Sequence, residues 1–180
     1  MAYASFRELE AEAHASDVSL GAAAILREAE ESGMTKSAVR ARLDSTLTVM
    51  QESLAEGLAA NRRSRYGLTG QDAALLAASS GRIAGPAFCE ALAGSLAVAE
   101  LNAAMGRIVA APTGGSCGVV PGVLLATAGH LGSSRERLVE ALATAGAVGA
   151  VIASRATLSG AAAGCQAEIG AASALSLIHI

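Results

Sequence analysis

Two short segments hold most of the residues that could do chemistry. The first is Ala111-Pro112-Thr113-Gly114-Gly115-Ser116-Cys117-Gly118, placed directly before an apolar stretch with helix character. Glycines let a backbone approach a ligand closely, and the free N–H groups at a helix start favour an anion. Thr113 and Ser116 add hydroxyl donors. The segment is not a phosphate-binding P-loop, because no Gly-Lys-Ser/Thr follows. Taken alone, such a turn reads either as a binding loop or as a tight packing turn. The second segment is Leu158-Ser159-Gly160-Ala161-Ala162-Ala163-Gly164-Cys165-Gln166-Ala167-Glu168. Here a small-residue loop runs into a helix that opens on a cysteine. A helix start favours the thiolate, the form needed by nucleophiles and metals alike. A small buried cysteine is the equally open alternative.

Two further segments are weaker alone. Gly67-Leu68-Thr69-Gly70-Gln71-Asp72 places an acid at a helix start, where it could serve only as a favourable charge. Asn102-Ala103-Ala104-Met105-Gly106 ends an apolar helix on an amide that could simply bridge backbone groups. Other catalytic sets do not assemble. The three cysteines Cys89, Cys117 and Cys165 lack zinc-site spacing, and His14 and His130 stand apart. His130 falls at a helix end, where carbonyls are the expected partners.

The elements that must position these segments are predicted to be helices throughout. In the 180 residues 52% are hydrophobic but only 2% aromatic, and glycine occurs 20 times. Ala, Leu, Val and Gly suit closely packed helices better than a β-sandwich, which favours aromatic and β-branched residues. Ser5-Phe6-Arg7-Glu8 has capping-box spacing. Ser19 caps a second helix that ends at Gly33, and Thr35 precedes a third. In that third helix Val39, Leu43, Leu47, Met50, Leu54 and Leu58 recur in steps of three and four, a single core-facing stripe. Asn61–Gly70 reads as a polar linker. Thr69 is expected to cap the next helix, which Gly81 closes. Pro86 suits the first turn of a helix running to about Met105. Val119–Leu131 follows, then a helix from a Ser133–Glu136 capping box to about Ala153. Ala156–Gly164 is a loop, and a last helix begins near Cys165. The only strand-like stretch lies around Arg107–Ala111. The expected organisation is an N-terminal helical region, 1–60, packed as one domain with an Ala/Gly-rich core, 61–174.

Composition also excludes partners. A formal charge of −3 offers no basic surface for nucleic acid, and Arg62, Arg63 and Arg65 read as a solvated cluster. The longest charge-free apolar run, Ala141–Ser154, falls short of the ~20 residues of a bilayer crossing. Residues 1–20 carry four acids and no secretory pattern, and three scattered cysteines form no disulfide framework, so a reducing cytoplasm is expected. The final Leu175-Ser176-Leu177-Ile178-His179-Ile180 breaks the preceding pattern. It equals a translated sequencing-library transposon end, and residues 175–180 are read as adapter read-through.

Together, GLTGQDA (67–73), ELNAAMG (100–106), APTGGSCGVVPG (111–122), TAGAVGAVIA (144–153) and LSGAAAGCQAEIG (158–170) resemble one family in order and spacing. That family is the alpha chain of bacterial iron–sulfur-dependent L-serine dehydratases, and the resemblance covers essentially residues 5 to 174. It departs at Arg155 and Thr157, where the family pattern has Asn and Ser. The resemblance implies an all-α fold and a lyase of amino-acid degradation and gluconeogenesis, converting L-serine to pyruvate and ammonia. It implies a [4Fe–4S] cluster held by three cysteines, with one iron left open as Lewis acid for the serine hydroxyl. Cys165 matches one ligand. The other two belong to a later Cys-Asp-Pro…Pro-Cys segment, which these 180 residues do not contain; activity is therefore not expected of them alone. Thr113, Gly114, Ser116, Asn102 and Ser159 are the expected substrate-binding residues. No residue is assigned as the base. A beta chain, a homo-oligomer or both are the implied partners. Without the resemblance, two readings stay open: a helical scaffold whose glycine turns only pack, or an enzyme using the 111–118 loop for another anionic ligand.

Overall fold

A computed structural model describes residues 3–59, 63–79 and 84–177. Among these the regular structure is entirely helical. The elements are α1 (Phe6–Ala15), α2 (Leu20–Ser32), α3 (Lys36–Ala59), α4 (Asp72–Ala77), α5 (Pro86–Ala103), α6 (Val119–Leu131), α7 (Arg135–Arg155), α8 (Gly160–Ala163) and α9 (Cys165–Leu177).

Most boundaries follow from local chemistry. Ser5 Oγ accepts the Glu8 N–H, and Ser19 Oγ accepts the Ala22 N–H, each satisfying an orphan donor at a helix start. Gly33 closes α2 in the left-handed conformation. Thr35 Oγ1 accepts the Ala38 N–H at the start of α3. Pro86 begins α5 as expected. Other expectations are corrected. The cap of α7 is Ser134 rather than Ser133, and the helix runs on to Arg155. The expected loop 156–164 contains the short α8. Residues Arg107–Ala110 have no regular structure and pair with no strand. The end expected at Gly81 lies outside the described residues, as do Asn61, Arg62 and Ile178-His179-Ile180. Leu175, within the excluded tail, is 4% exposed in the core.

Two core clusters share α3 and α7. One joins Tyr3 and Leu9 to Ala24, Ile25, Val39, Ala147 and Val151. The other joins Leu47 and Met50 to Val120, Leu124, Leu142, Val148 and Leu175. Leu43 packs against both. By length and composition α7 could cross a membrane. It carries Arg135, Glu136, Arg137, Glu140 and Arg155, however, and buries eight residues among its neighbours, Leu138 to Val151.

The α3 stripe is half as expected. Val39, Leu47 and Met50 are buried, whereas Leu43, Leu54 and Leu58 are partly exposed. In the second half of the helix the buried positions are Ser53 and Gly57. Gly57 lies against the Ala97 carbonyl of α5, so close that a Cβ there would overlap it. The same contact recurs at Gly118 and Gly122 of the α6 start against Ser95 of α5, and at Gly21 against the Glu140 backbone. The Glu140 side chain adds polar ties, accepting from Ser19 Oγ at 2.9 Å and Arg40 at 2.7 Å.

Two predictions follow from this packing. In a helix interior, Gly→Ala ordinarily gains ~1 kcal/mol. Gly57→Ala should instead lose about 2 kcal/mol, whereas Gly146→Ala on α7, with nothing in the way, should follow the ordinary rule. Thermal melts with opposite signs for the two variants are expected; equal shifts would refute the close-approach account. Second, the Arg40 guanidinium, helped by Ser19, holds the Glu140 carboxyl below the usual carboxylate range. A lowered folded-state value means that this stabilisation is complete above the unfolded carboxylate range and drains away as pH falls through the folded value. Glu140→Gln should therefore lower stability at pH 7 but change it little at pH 2, measured by denaturant titration at both pH values.

Candidate active site

The site is built where α5 ends and α6 begins. Close packing of these helices brings the 100–106 segment beside the 111–118 loop. Asn102 sits in the last turn of α5 and donates its Nδ2–H to the Gly114 carbonyl at 2.9 Å. It thus bridges backbone groups and holds the tip of the loop. Below the tip, Thr113 Oγ1 and Ser116 Oγ are hydrogen-bonded at 3.1 Å. Ser116 is 3% exposed, so its hydroxyl orders the loop from inside while Gly114 and Gly115 form the exposed surface. The Ala111–Pro112 peptide is cis.

The helix α5 does not run to Met105 as expected. It stops at Ala103, and Met105 takes φ 62° while the Gly106 N–H returns to the Leu101 carbonyl and the Met105 N–H to that of Asn102. This is a Schellman end with methionine where glycine is usual. It turns the chain sharply into the 107–113 connection.

Glu100, one turn earlier, reaches the other weak segment. Its carboxylate accepts the N–H groups of Gln71, Asp72 and Ala73 at 3.0, 2.8 and 3.3 Å. This corrects the expectation that Thr69 caps α4. Gln71 occupies the flanking position with φ 80°, and no side chain from the preceding turn caps the helix. Left-handed backbone at Gln71 turns three successive N–H groups towards one acceptor, an anion-binding arrangement that Glu100 fills. Sequence reasoning missed Glu100 because its partner lies 28 residues away and local capping spacing carries no such signal.

The second major segment approaches the loop from α9. Cys165 opens that helix and is exposed. Glu168, in the same first turn, lies between Gly115 and Gly160: a Cβ on either glycine would stand 2.6 Å from Glu168 Oε2. Ser159, exposed before α8, forms no side-chain cap, and its carbonyl accepts the Ala162 and Ala163 N–H groups. Behind the loop a pocket of about 290 Å³ is lined by Met50, Ala111, Pro112, Leu142, Leu158 and Leu175. Cys165 does not line it. Loop, Asn102, Glu168 and Gly160 are therefore brought together, with Cys165 one turn from Glu168, while Ser159 is placed only by its neighbour Gly160.

The remaining cysteines are placed differently. Cys89 is half-buried on α5, and Cys117 is buried under the loop, where burial pushes its thiol above the ordinary value. Among the described residues, no three His, Cys, Asp or Glu side chains converge as a metal group. Among the described residues the three cysteines do not converge into an iron–sulfur ligand set; Cys165 is the exposed one of the three. His130 pairs with Glu90 of α5 at 3.0 Å rather than with helix-end carbonyls.

A family model described as serine dehydratase alpha chain matches residues 15–179. A probable L-serine dehydratase alpha chain of Bacillus subtilis (strain 168) is 43% identical over 159 residues, covering 87% of this chain and 53% of its own length. The L-serine dehydratase alpha chain of Peptoniphilus asaccharolyticus is 36% identical over 151 residues, 82% of this chain and 52% of its own. An L-serine dehydratase of Helicobacter pylori (strain ATCC 700392 / 26695) is 49% identical over 81 residues, 44% of this chain and 18% of its own. The chain thus spans about half the length of the first two relatives. No solved structure matches it.

The Glu100 bridge makes a direct prediction. Glu100→Ala should expose the N–H groups of Gln71, Asp72 and Ala73, costing about 1–2 kcal/mol as the loss of a charged cap does. Hydrogen exchange at those amides should speed about five- to thirtyfold while the α3 and α7 cores keep their protection. Unchanged exchange at 71–73 would show that the cap does not hold α4.

Proposed function

The chain belongs to the serine dehydratase alpha-chain family, and we propose that it forms the substrate-binding half of a lyase that converts L-serine to pyruvate and ammonia. The observation that carries this reading is the anchored loop. Asn102 holds its tip through Gly114, and the Thr113–Ser116 pair holds its base. A glycine backbone fixed in this way, with N–H and hydroxyl donors, suits the carboxylate of an amino acid. The Thr113 and Ser116 hydroxyls share one hydrogen bond, and when Ser116 is its donor the Thr113 proton is available to the ligand. Gly114, with open space where a side chain would stand, lets the ligand approach the backbone, and Ser159 stands on the neighbouring segment.

Cys165 supplies one thiolate to a [4Fe–4S] centre, and the other thiolates come from residues outside these 180. Three thiolates are the least that leave a cubane with one open iron. When bound, such a centre offers a Lewis acid for the serine hydroxyl. The chain's own part is to seat the carboxylate and fix the amino acid's orientation. A beta chain completes the enzyme where alpha and beta are separate polypeptides.

The complete enzyme, prepared without oxygen, should form pyruvate and ammonia from L-serine. Thr113→Ala should raise KM for L-serine about tenfold, one charge-assisted hydrogen bond's worth, with a small fall in melting temperature because the buried Ser116 hydroxyl loses its partner. Cys165→Ser should lose bound iron, read by metal analysis. Absence of pyruvate from the unaltered enzyme overturns the reading, as does a Thr113→Ala variant with ordinary KM.

A further inference from the structure

Several carboxylates that bind elements together have identified partners. Glu100 takes three N–H groups, Glu140 takes Arg40 and Ser19, and Glu8 and Glu12 share Arg27. Asp44 pairs with Arg135. Glu168 differs. It forms no ion pair and no hydrogen bond among the described residues, yet it is partly buried, and two glycines make room for it. Any side chain at Gly115 or Gly160 would displace its Oε2. Glu168 lies in the first turn of α9, where a helix start suits a negative charge, and its carboxylate keeps acceptor capacity for a cation arriving beside it.

We propose that Glu168 receives the ammonium group of the substrate amino acid. This deepens the serine reading of the site and rests on it. An α-amino acid carries a carboxylate and an ammonium on one carbon, so its receptor needs donors and an acceptor side by side. Gly115 supplies that adjacency: it belongs to the donor loop, and it touches the Glu168 carboxylate. With the carboxylate on the loop and the ammonium on Glu168, two of the four bonds at the α-carbon are fixed. The side-chain hydroxyl is then directed by chirality, and Cys165, three residues before Glu168, shares its helix face. Glu168 therefore selects amino acids over hydroxy acids of the same shape.

The test compares L-serine with 3-hydroxypropanoate, which is serine without its ammonium group. Affinities are measured by calorimetry on the complete enzyme before its cluster is loaded, so that L-serine is bound without being consumed. Glu168→Gln should weaken L-serine binding at least tenfold and change 3-hydroxypropanoate binding less than threefold. Glu168→Asp, which keeps the charge, should retain a preference for serine; it also serves if the Gln variant fails to fold. Serine affinity within threefold of the unaltered enzyme overturns the proposal. So does an equal loss for both ligands, which would make Glu168 a structural wedge. Failure of the serine reading is seen separately, as absence of pyruvate from the unaltered enzyme.

Discussion

Backbone-to-backbone contact between helices is the constraint on which this protein depends. At Gly57 against Ala97, and at Gly118 and Gly122 against Ser95, there is no room for a single additional carbon. Dispersion and burial fall off steeply with separation, so helices that touch at their backbones gain contact along their length without large side chains. That is how a chain with 2% aromatic residues builds a core. The intolerance is just as sharp, because a methyl group at these positions must move a helix.

The same contact creates the site. When α5 and α6 meet at Ser95 and Gly118, the C-terminal end of α5 is carried alongside the loop that precedes α6. Asn102 and Gly114 then lie within hydrogen-bonding distance. Glu100, on the same turn of α5, fastens the start of α4. One helix end therefore holds two loops through two side chains. Loops fixed from a rigid helix hold their donors in place before a ligand arrives, which is what recognition of a small ligand requires. Glu168 adds a third approach, from α9, and the glycines at 115 and 160 show that the loop and α8 are shaped around its carboxylate.

Much of the fold was legible in local pattern. The caps at Ser5 and Ser19, the left-handed Gly33, Pro86 at the start of α5 and the Val119–Leu131 helix all lie where neighbouring residues dictate them. Misreadings occurred where a distant group replaced a local one. Thr69 had the spacing of a cap for α4, but a carboxylate from α5 satisfies those N–H groups better. Leu54 and Leu58 continue a regular stripe, yet burial shifts to Ser53 and Gly57 because α5 approaches on that side. Periodicity marks a helix; it does not mark which flank a neighbour will press against.

The sequence by itself determined the helical class, most helix limits and the segments that could hold a ligand, because capping, turn chemistry and apolar period act within a few residues. It also carried the family resemblance in the order of those segments. Only the tertiary structure decided which of their residues meet. It placed Ser116 inside, supporting Thr113, and left Gly114 and Gly115 at the surface. It also set Glu168 between two glycines from different segments, and gave Glu100 a task no motif announces. Apart from the local Thr113–Ser116 pair, these pairings join residues from different segments, and their closeness follows from how tightly α5, α6 and α9 pack, a property of the assembled helices rather than of any one stretch of chain.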